Sequence, residues 1–560
     1  MINPRKKALA KRSRTGCRTC RARRVKCDET PIACNNCTSS SRACDGYDVH
    51  RLIPGGGRRK TGNLVPVFTI TADMTRKLQW TATSDERRCL SFFQHRSVEH
   101  LVGFYDSPLW QQVIFRLCYQ EPAIYHAVIA LGAVNQANEI AGCIPRAGQS
   151  TVHLQNTWYQ FALEQSGRAI TLLNKRRMSQ DPHLQEVILV CCLLFVICEL
   201  LHGNRNHANF HIQGGLQILH MMKIQRQTTG LELSQETVFG GPSGRRFSVE
   251  NCVVEMFLKL QESSVFYGTE NPLDFDSHFV FGQPYERYMQ HFQSLGHAKQ
   301  VLKPLTQANF LFTALYLKAS DNYIREDYAS LQHRQLLLLS YFHRFLCQFE
   351  IFCAQEYPDS ADGTSQLNKG QREAELIKLS CRQGILASKV ALYYKSELWP
   401  ESLTHECEAL IIASENAMAK FGGEYPAVTA DLAIMPALII SIFRCPDYGV
   451  RARGVAAIRS WRSEEGFMSA TLTSDIMEEG MKKELQSIYD KAEPWPRGVV
   501  FVEADGLVTA RVSYWVDAEE KRHCLPLRRN EILIADLIAI ENAKHWPCVR
   551  MWGLLDDVNL

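Results

Sequence analysis

The sequence predicts a mainly α protein: a small cysteine-built N-terminal head, a basic linker, and a large all-α body ending in a short C-terminal β-hairpin. Three observations predict it. Six cysteines within the first 44 residues repeat one spacing, in a segment too short to own an apolar core. Apolar residues then recur at helical spacing in stretch after stretch. Late in the chain, Val-rich runs flank an Asp-Gly pair.

With 560 residues and 46% hydrophobic content the chain can bury a large core, and its length suggests roughly two to four domains. The net charge of +4 hides an asymmetry. Residues 1–60 hold sixteen Lys/Arg against four Asp/Glu, or +12, which leaves −8 for the rest. A basic head on a mildly acidic body points to a polyanion as the partner of the head.

In the head, Cys17, Cys20 and Cys27 read C-x2-C-x6-C, and Cys34, Cys37 and Cys44 repeat it. The opening MINPRKKALAKRSR has charges and no apolar signal core, so the spacing is read as metal binding rather than disulfides. Zinc takes four soft ligands. Six thiolates serve two Zn2+ ions only if two sulfurs bridge, so the expected cofactor is a pair of zinc ions in one binuclear cluster. A metal store or redox sensor would also use thiols, but neither needs the basic run Arg21, Arg23, Arg24, Lys26 between them.

The run GCRTCRARRVKCDETPIACNNCTSSSRACDGYD resembles the fungal zinc binuclear cluster DNA-binding domain, matching it at every cysteine. The resemblance implies two short helices related by a pseudo-twofold, with Cys17 and Cys34 bridging and Pro31 in the joining loop. Residues 18–24 are expected as a helix entering a major groove. Arginine can donate twice to guanine O6 and N7. The resemblance assigns base contacts in a CGG-like triplet to Arg23 and Arg24, while Arg18, Arg21 and Lys26 suit phosphates. The arm Arg5, Lys6, Lys7, Lys11, Arg12, Arg14 reads as a phosphate-touching tail, a nuclear import signal, or a solvated terminus.

The expected organisation is an arm at 1–15, the zinc cluster at 16–46, a linker at 47–84 and the helical regulatory domain at 85–560. No heptads follow the cluster, so a zipper is not supported; a homodimer through the large domain and monomeric binding both stay open. GGGRRKT is not a phosphate-binding loop, since that pattern needs glycine where Arg59 stands.

Within the body, EPAIYHAVIALGAVNQANE opens at Pro122 and places Ile124, Val128, Leu131 and Asn135 on one stripe. Further helices are expected near 151–175, 184–202, 207–223, 249–266, 302–319, 331–354, 371–396, 403–420 and 427–444. A polar loop is expected at 225–246. Val499 to Ala504, Asp505-Gly506 and Leu507 to Val516 form the expected hairpin. The twelve-residue apolar run Val187 to Cys198 is shorter than a membrane span of roughly 20, so no membrane is expected.

EPAIYHAVIALGA and CPDYGVRARGVAAIRSWRSEEG resemble the fungal-specific transcription factor domain. That resemblance implies regulation, with no catalytic residues. No Rossmann, P-loop, H-E-x-x-H or triad pattern supports an enzyme. His207 and His211 lack the glutamate of a zinc protease; Cys191, Cys192 and Cys198 sit in an apolar helix as small hydrophobes. GGPSG near Ser243 is a loop, not a nucleophile elbow. The tail MWGLLDDVNL reads as a packed helix, with coactivator recruitment as the alternative.

The expected function is therefore a nuclear regulator of RNA polymerase II transcription in a fungus. It would read CGG-like double-stranded DNA for a metabolic or secondary-metabolite pathway, with a small-molecule inducer of the body as a further expected partner.

Overall fold

The computed structural model describes residues 17–28, 34–40, 42, 44, 80, 82–141, 156–181, 183–229, 249–265, 283–318, 321–357, 369–393, 398–422, 425–540 and 543–556. The arm, the linker up to residue 79, Pro31, GGPSG and most of the 225–246 loop lie outside them. The chain divides into two compact units: one of Met1–Val102, Asp106–Ile218 and Phe247–Val254, the other of Gly103–Tyr105, Leu219–Arg246 and Glu255–Leu560.

In the first unit the central element is the helix Pro122–Ala141. Its expected stripe of Ile124, Val128, Leu131 and Asn135 is buried, and so are Tyr125, Ile129 and Val134. The helix is therefore enclosed on all sides, by Ser84–Phe92, Ile114–Gln120, Thr157–Lys175 and Leu184–Leu201. Asn135, the polar member of the stripe, donates to Ser97 Oγ at 2.9 Å, so its burial leaves that amide satisfied. Gly132 permits the close crossing: a Cβ there would stand 2.5 Å from the Cys89 carbonyl oxygen. Helix Ser84–Phe92 starts at a reciprocal cap, Thr83 Oγ1 accepting from Glu86 N at 3.2 Å and Glu86 Oε2 accepting from Thr83 N at 2.9 Å.

The apolar run at 187–198 extends into the eighteen-residue helix Leu184–Leu201. By length and composition, this helix and Tyr328–Glu356 could each cross a membrane; the first is 72% buried within the fold, and an apolar eighteen-residue stretch of the second 33%. The run of twelve understated the first because Glu199 interrupts the apolar letters without ending the helix.

The second unit packs the helices Leu295–Lys318, Tyr328–Glu356, Lys369–Val390, Thr404–Ala419, Ile434–Ile442, Tyr448–Ser460 and Ala470–Asp490. Phe292, Phe345 and Phe349 form an aromatic row in its core. The expected helix at 427–444 is shorter than its span. Val428–Thr429 pairs instead with Glu464–Glu465 in a small sheet, and the helix begins at Ile434, with Pro436 in its first turn. Arg451, fully buried, donates to Glu484 Oε2 at 2.5 Å. Glu484 Oε1 also accepts from Arg444 at 2.8 Å and from Trp552 Nε1 at 2.7 Å. Burial would raise the Glu484 carboxyl, but Arg451 outweighs it and holds it below the usual range.

The expected hairpin exists, with a third strand added. Val499–Ala504, Leu507–Val516 and Glu519–Pro526 form an antiparallel sheet in sequence order. Both turns are two-residue turns with positive φ: Asp505 and Gly506 at 52° and 72°, Asp517 and Ala518 at 49° and 64°. Ala510, Val512 and Leu525 face inward. At the tail, Trp552, Leu554 and Leu555 are buried, and Lys483 Nζ donates to the Gly553 carbonyl, so this segment packs as a structural element.

Candidate metal centre and nucleic-acid interface

The head is two short helices, Arg18–Ala22 and Asn35–Thr38, each carrying the second cysteine of its half. Cys17, Cys20, Cys27, Cys34 and Cys37 are buried, with Cys44 packed against them, and none is disulfide-bonded. Their sulfurs face one another: Cys17–Cys34 at 3.6 Å, Cys17–Cys37 at 3.7 Å, Cys20–Cys34 at 3.5 Å and Cys20–Cys37 at 3.8 Å. Four sulfurs about 2.3 Å from a tetrahedral zinc would stand roughly 3.8 Å apart, so these spacings fit the ion. Two overlapping tetrads form, Cys17/Cys20/Cys27/Cys34 and Cys17/Cys34/Cys37/Cys44, each with its ligand atoms within 4.8 Å. They share Cys17 and Cys34, the pair that the resemblance marks as bridging.

The sulfurs also take backbone donors as thiolates do: Cys20 N donates to Cys17 Sγ at 3.2 Å, and Cys17 N to Cys27 Sγ at 3.4 Å. Burial raises the Cys17 and Cys34 thiols and pushes Cys20 up to about 12. For Cys37 burial acts the same way, but the hydrogen bonds from Cys34, Cys17 and Cys20 win and lower it. Zinc bound here would supply the positive charge that holds such thiols deprotonated.

The two halves are joined by side chains that sequence reasoning missed. Asp28 accepts from Asn35 N at 2.9 Å and Asn36 N at 3.2 Å, capping the second helix. Asn36 Nδ2 donates back to the Lys26 carbonyl. Asp28 follows Cys27 and Asn36 precedes Cys37, but only the folded cage reveals that they meet.

The five cations part company. Arg23 Nη1 donates to Ser40 Oγ at 2.9 Å and reaches the Asn36 carbonyl at 3.4 Å, so it ties one half to the other. Arg24 is exposed and left-handed, at φ 61°. Val25 N bonds back to the Cys20 carbonyl at 3.0 Å, the closing bond of a helix end where glycine is the usual occupant. An arginine there carries backbone strain, and its side chain is exposed. Lys26 is exposed beside it. Arg18 and Arg21 lie on the first helix, and their side chains are outside the described residues.

Elsewhere the chemical candidates resolve into packing. His207 meets Asn204 at 2.8 Å and lies 3.8 Å from Glu199, while His211 packs on Phe195. Among the described residues the only clusters able to hold a metal are the two cysteine tetrads. Cys191 and Cys198 are fully buried, and burial raises their thiols, as it pushes Cys192 up to about 11. These are unreactive core positions.

A thiol cage with a cationic surface, on a chain that is otherwise a helical body, defines the zinc-cluster class of regulator. The comparisons agree: residues 15–52 match the fungal Zn(2)-Cys(6) binuclear cluster domain, and residues 88–254 match the fungal specific transcription factor domain. The chain thus carries two domains of fungal Zn(2)-Cys(6) transcription regulators, and the domains and relatives it matches are those of regulators rather than enzymes.

It is 29% identical over 233 residues to the aspercryptin biosynthesis cluster-specific transcription regulator atnN of Emericella nidulans, covering 39% of this chain and 36% of that one. It is 22% identical over 215 residues to the transcription regulator lscL of Purpureocillium lilacinum, covering 36% and 47%. Over 46 residues it is 52% identical to the transcriptional regulatory protein moc3 of Schizosaccharomyces pombe, covering 8% and 9%. The matched stretches thus span less than half of each relative's own length. No solved structure matches.

Proposed function

We propose that this chain is a nuclear, sequence-specific DNA-binding regulator of RNA polymerase II transcription, acting on one biosynthetic pathway. Cys17, Cys20, Cys27 and Cys34 would hold one zinc ion; Cys17, Cys34, Cys37 and Cys44 would hold the second. Arg24 reads guanine in a CGG-like triplet of the major groove, and Lys26, Arg18 and Arg21 contact phosphates. Arg23 contributes less to base reading than the family pattern suggests, because its guanidinium is engaged with Ser40. The pathway assignment is supported by the relative named for a biosynthesis cluster.

The observation that carries this reading is Arg24, exposed at a left-handed position where a residue chosen for stability would be glycine. Selecting duplexes from random DNA with the zinc-loaded full-length protein tests it. Wild type is expected to enrich one triplet, and Arg24→Gly to lose that preference while keeping its zinc. Recovery of the same triplet by Arg24→Gly would refute the assignment.

A further inference from the structure

The C-terminal sheet has two edges that differ in chemistry. Glu519–Pro526 is guarded: it opens on Glu519, Glu520, Lys521 and Arg522, mostly exposed, and closes on a proline. Charges and proline on an edge are the usual protection against pairing with another chain. Val499–Ala504 opens instead on Val-Val-Phe-Val, and Val500 is 50% exposed on the outer face.

The ladder shows which groups that second edge leaves open. Ser513 N donates to the Gly498 carbonyl at 3.0 Å, which makes Val500/Arg511 and Val502/Thr509 the next hydrogen-bonded pairs. Val499, Phe501 and Glu503 therefore turn their backbone groups outward. The N–H of Val499 is taken by the Pro496 carbonyl at 3.1 Å. The N–H groups of Phe501 and Glu503 and the carbonyls of Val499 and Phe501 have no backbone partner among the described residues.

We propose that this edge is a self-association surface, and that its occupant is the same strand of a second copy, paired antiparallel about Phe501. That register joins Phe501 N–H to the opposing Phe501 carbonyl, and Glu503 N–H to the opposing Val499 carbonyl, each twice by symmetry. It uses the four open groups and leaves the Val499 turn bond undisturbed. Val500 then stands across from Val502, a β-branched pair suited to a sheet face. Charge favours self-pairing over an unrelated strand. The edge begins basic at Arg497 and ends acidic at Glu503 and Asp505, so antiparallel copies set opposite charges together at both ends. The interface is isologous and closed, and it joins two three-stranded sheets into one of six strands.

This surface is argued independently of DNA reading, and it would serve that function. A single cluster reads about three base pairs, too few to mark a target, and a dimer brings a second head. Sedimentation equilibrium of the full-length, zinc-loaded protein without DNA separates the two proposals. Wild type is expected as a dimer at micromolar concentration, and Val500→Lys as a monomer. Arg497→Glu and Glu503→Lys should each weaken the dimer by roughly tenfold, since each reversal acts twice. The double variant R497E/E503K should recover most of that loss, and it carries the test should V500K fail to fold. Arg522→Ala, on the guarded edge, should leave the mass unchanged. A monomeric wild type, or a dimer indifferent to the charge reversals, would overturn the proposal whatever the protein does with DNA.

Discussion

Head and body solve the folding problem in opposite ways. Among the described residues of the head, the buried cluster consists of cysteines alone. The body buries Leu, Ile, Val, Phe and Trp along most of its described helices. A core of sulfur has no value until something offsets the mutual repulsion of its thiolates, so the head's stability is metal affinity. The body's stability is burial of apolar surface, and a few of its charges are buried in pairs such as Arg451–Glu484. The lesson concerns where function can sit. A cage closed by ligands keeps its cations out of the core: Arg23 is tied to Ser40, and Arg24 tolerates a strained backbone that a helix core would not.

The largest effects should come from breaking one region and sparing the other. Cys17→Ala removes a sulfur common to both tetrads, so the head should lose both ions, with structural zinc worth about 10–16 kcal/mol in comparable small domains. Cys44→Ala should leave the first tetrad intact; zinc content and body melting temperature, measured together, separate the two. In the body, Arg451→Met takes one of Glu484's buried donors, with Arg444 and Trp552 remaining, and should cost about 1.5–3 kcal/mol. Thermal melting should show that loss while a DNA gel shift at low temperature is unchanged.

Gly132→Ala puts a methyl against the Cys89 carbonyl and should cost about 1–3 kcal/mol, read from the urea midpoint. Acid probes the Glu478 pair. Burial raises this carboxyl, yet His523 and Arg459 prevail and hold it at about 2. A folded-state value below the unfolded one gives stability that is present above about pH 4.5 and fades as the pH falls toward 2. The melting difference between wild type and Glu478→Gln should therefore be full at neutral pH and close in acid. The smallest effect is Arg24→Gly, which relieves the left-handed strain and should steady the head by about 1 kcal/mol or less while removing base recognition. Chelator resistance of the variant measures that gain.

The head was legible in the sequence because metal ligands must be particular residue types at particular spacings. The roles of Arg23 and Arg24 were less so: adjacent and alike on paper, they separate only when the helix end turns left-handed and Ser40 comes within reach of one. Asp28 was hidden for the same reason, since its partners belong to the other half. In the body, the stripe of Pro122–Ala141 was visible, but not that the opposite face would be covered as well. The third strand escaped because Asp517-Ala518 lacks the glycine that usually marks such a turn, and the start of Ile434–Ile442 because Val428–Thr429 finds a strand partner 36 residues later, at Glu464–Glu465.

The most direct test of the metal-built, DNA-reading head is a chelator titration of the full-length protein that counts zinc released per chain as binding to the selected duplex is lost. Two zinc ions should leave, DNA binding should vanish with them, and the body's helical signal should persist. DNA binding that survives complete removal of zinc would contradict it.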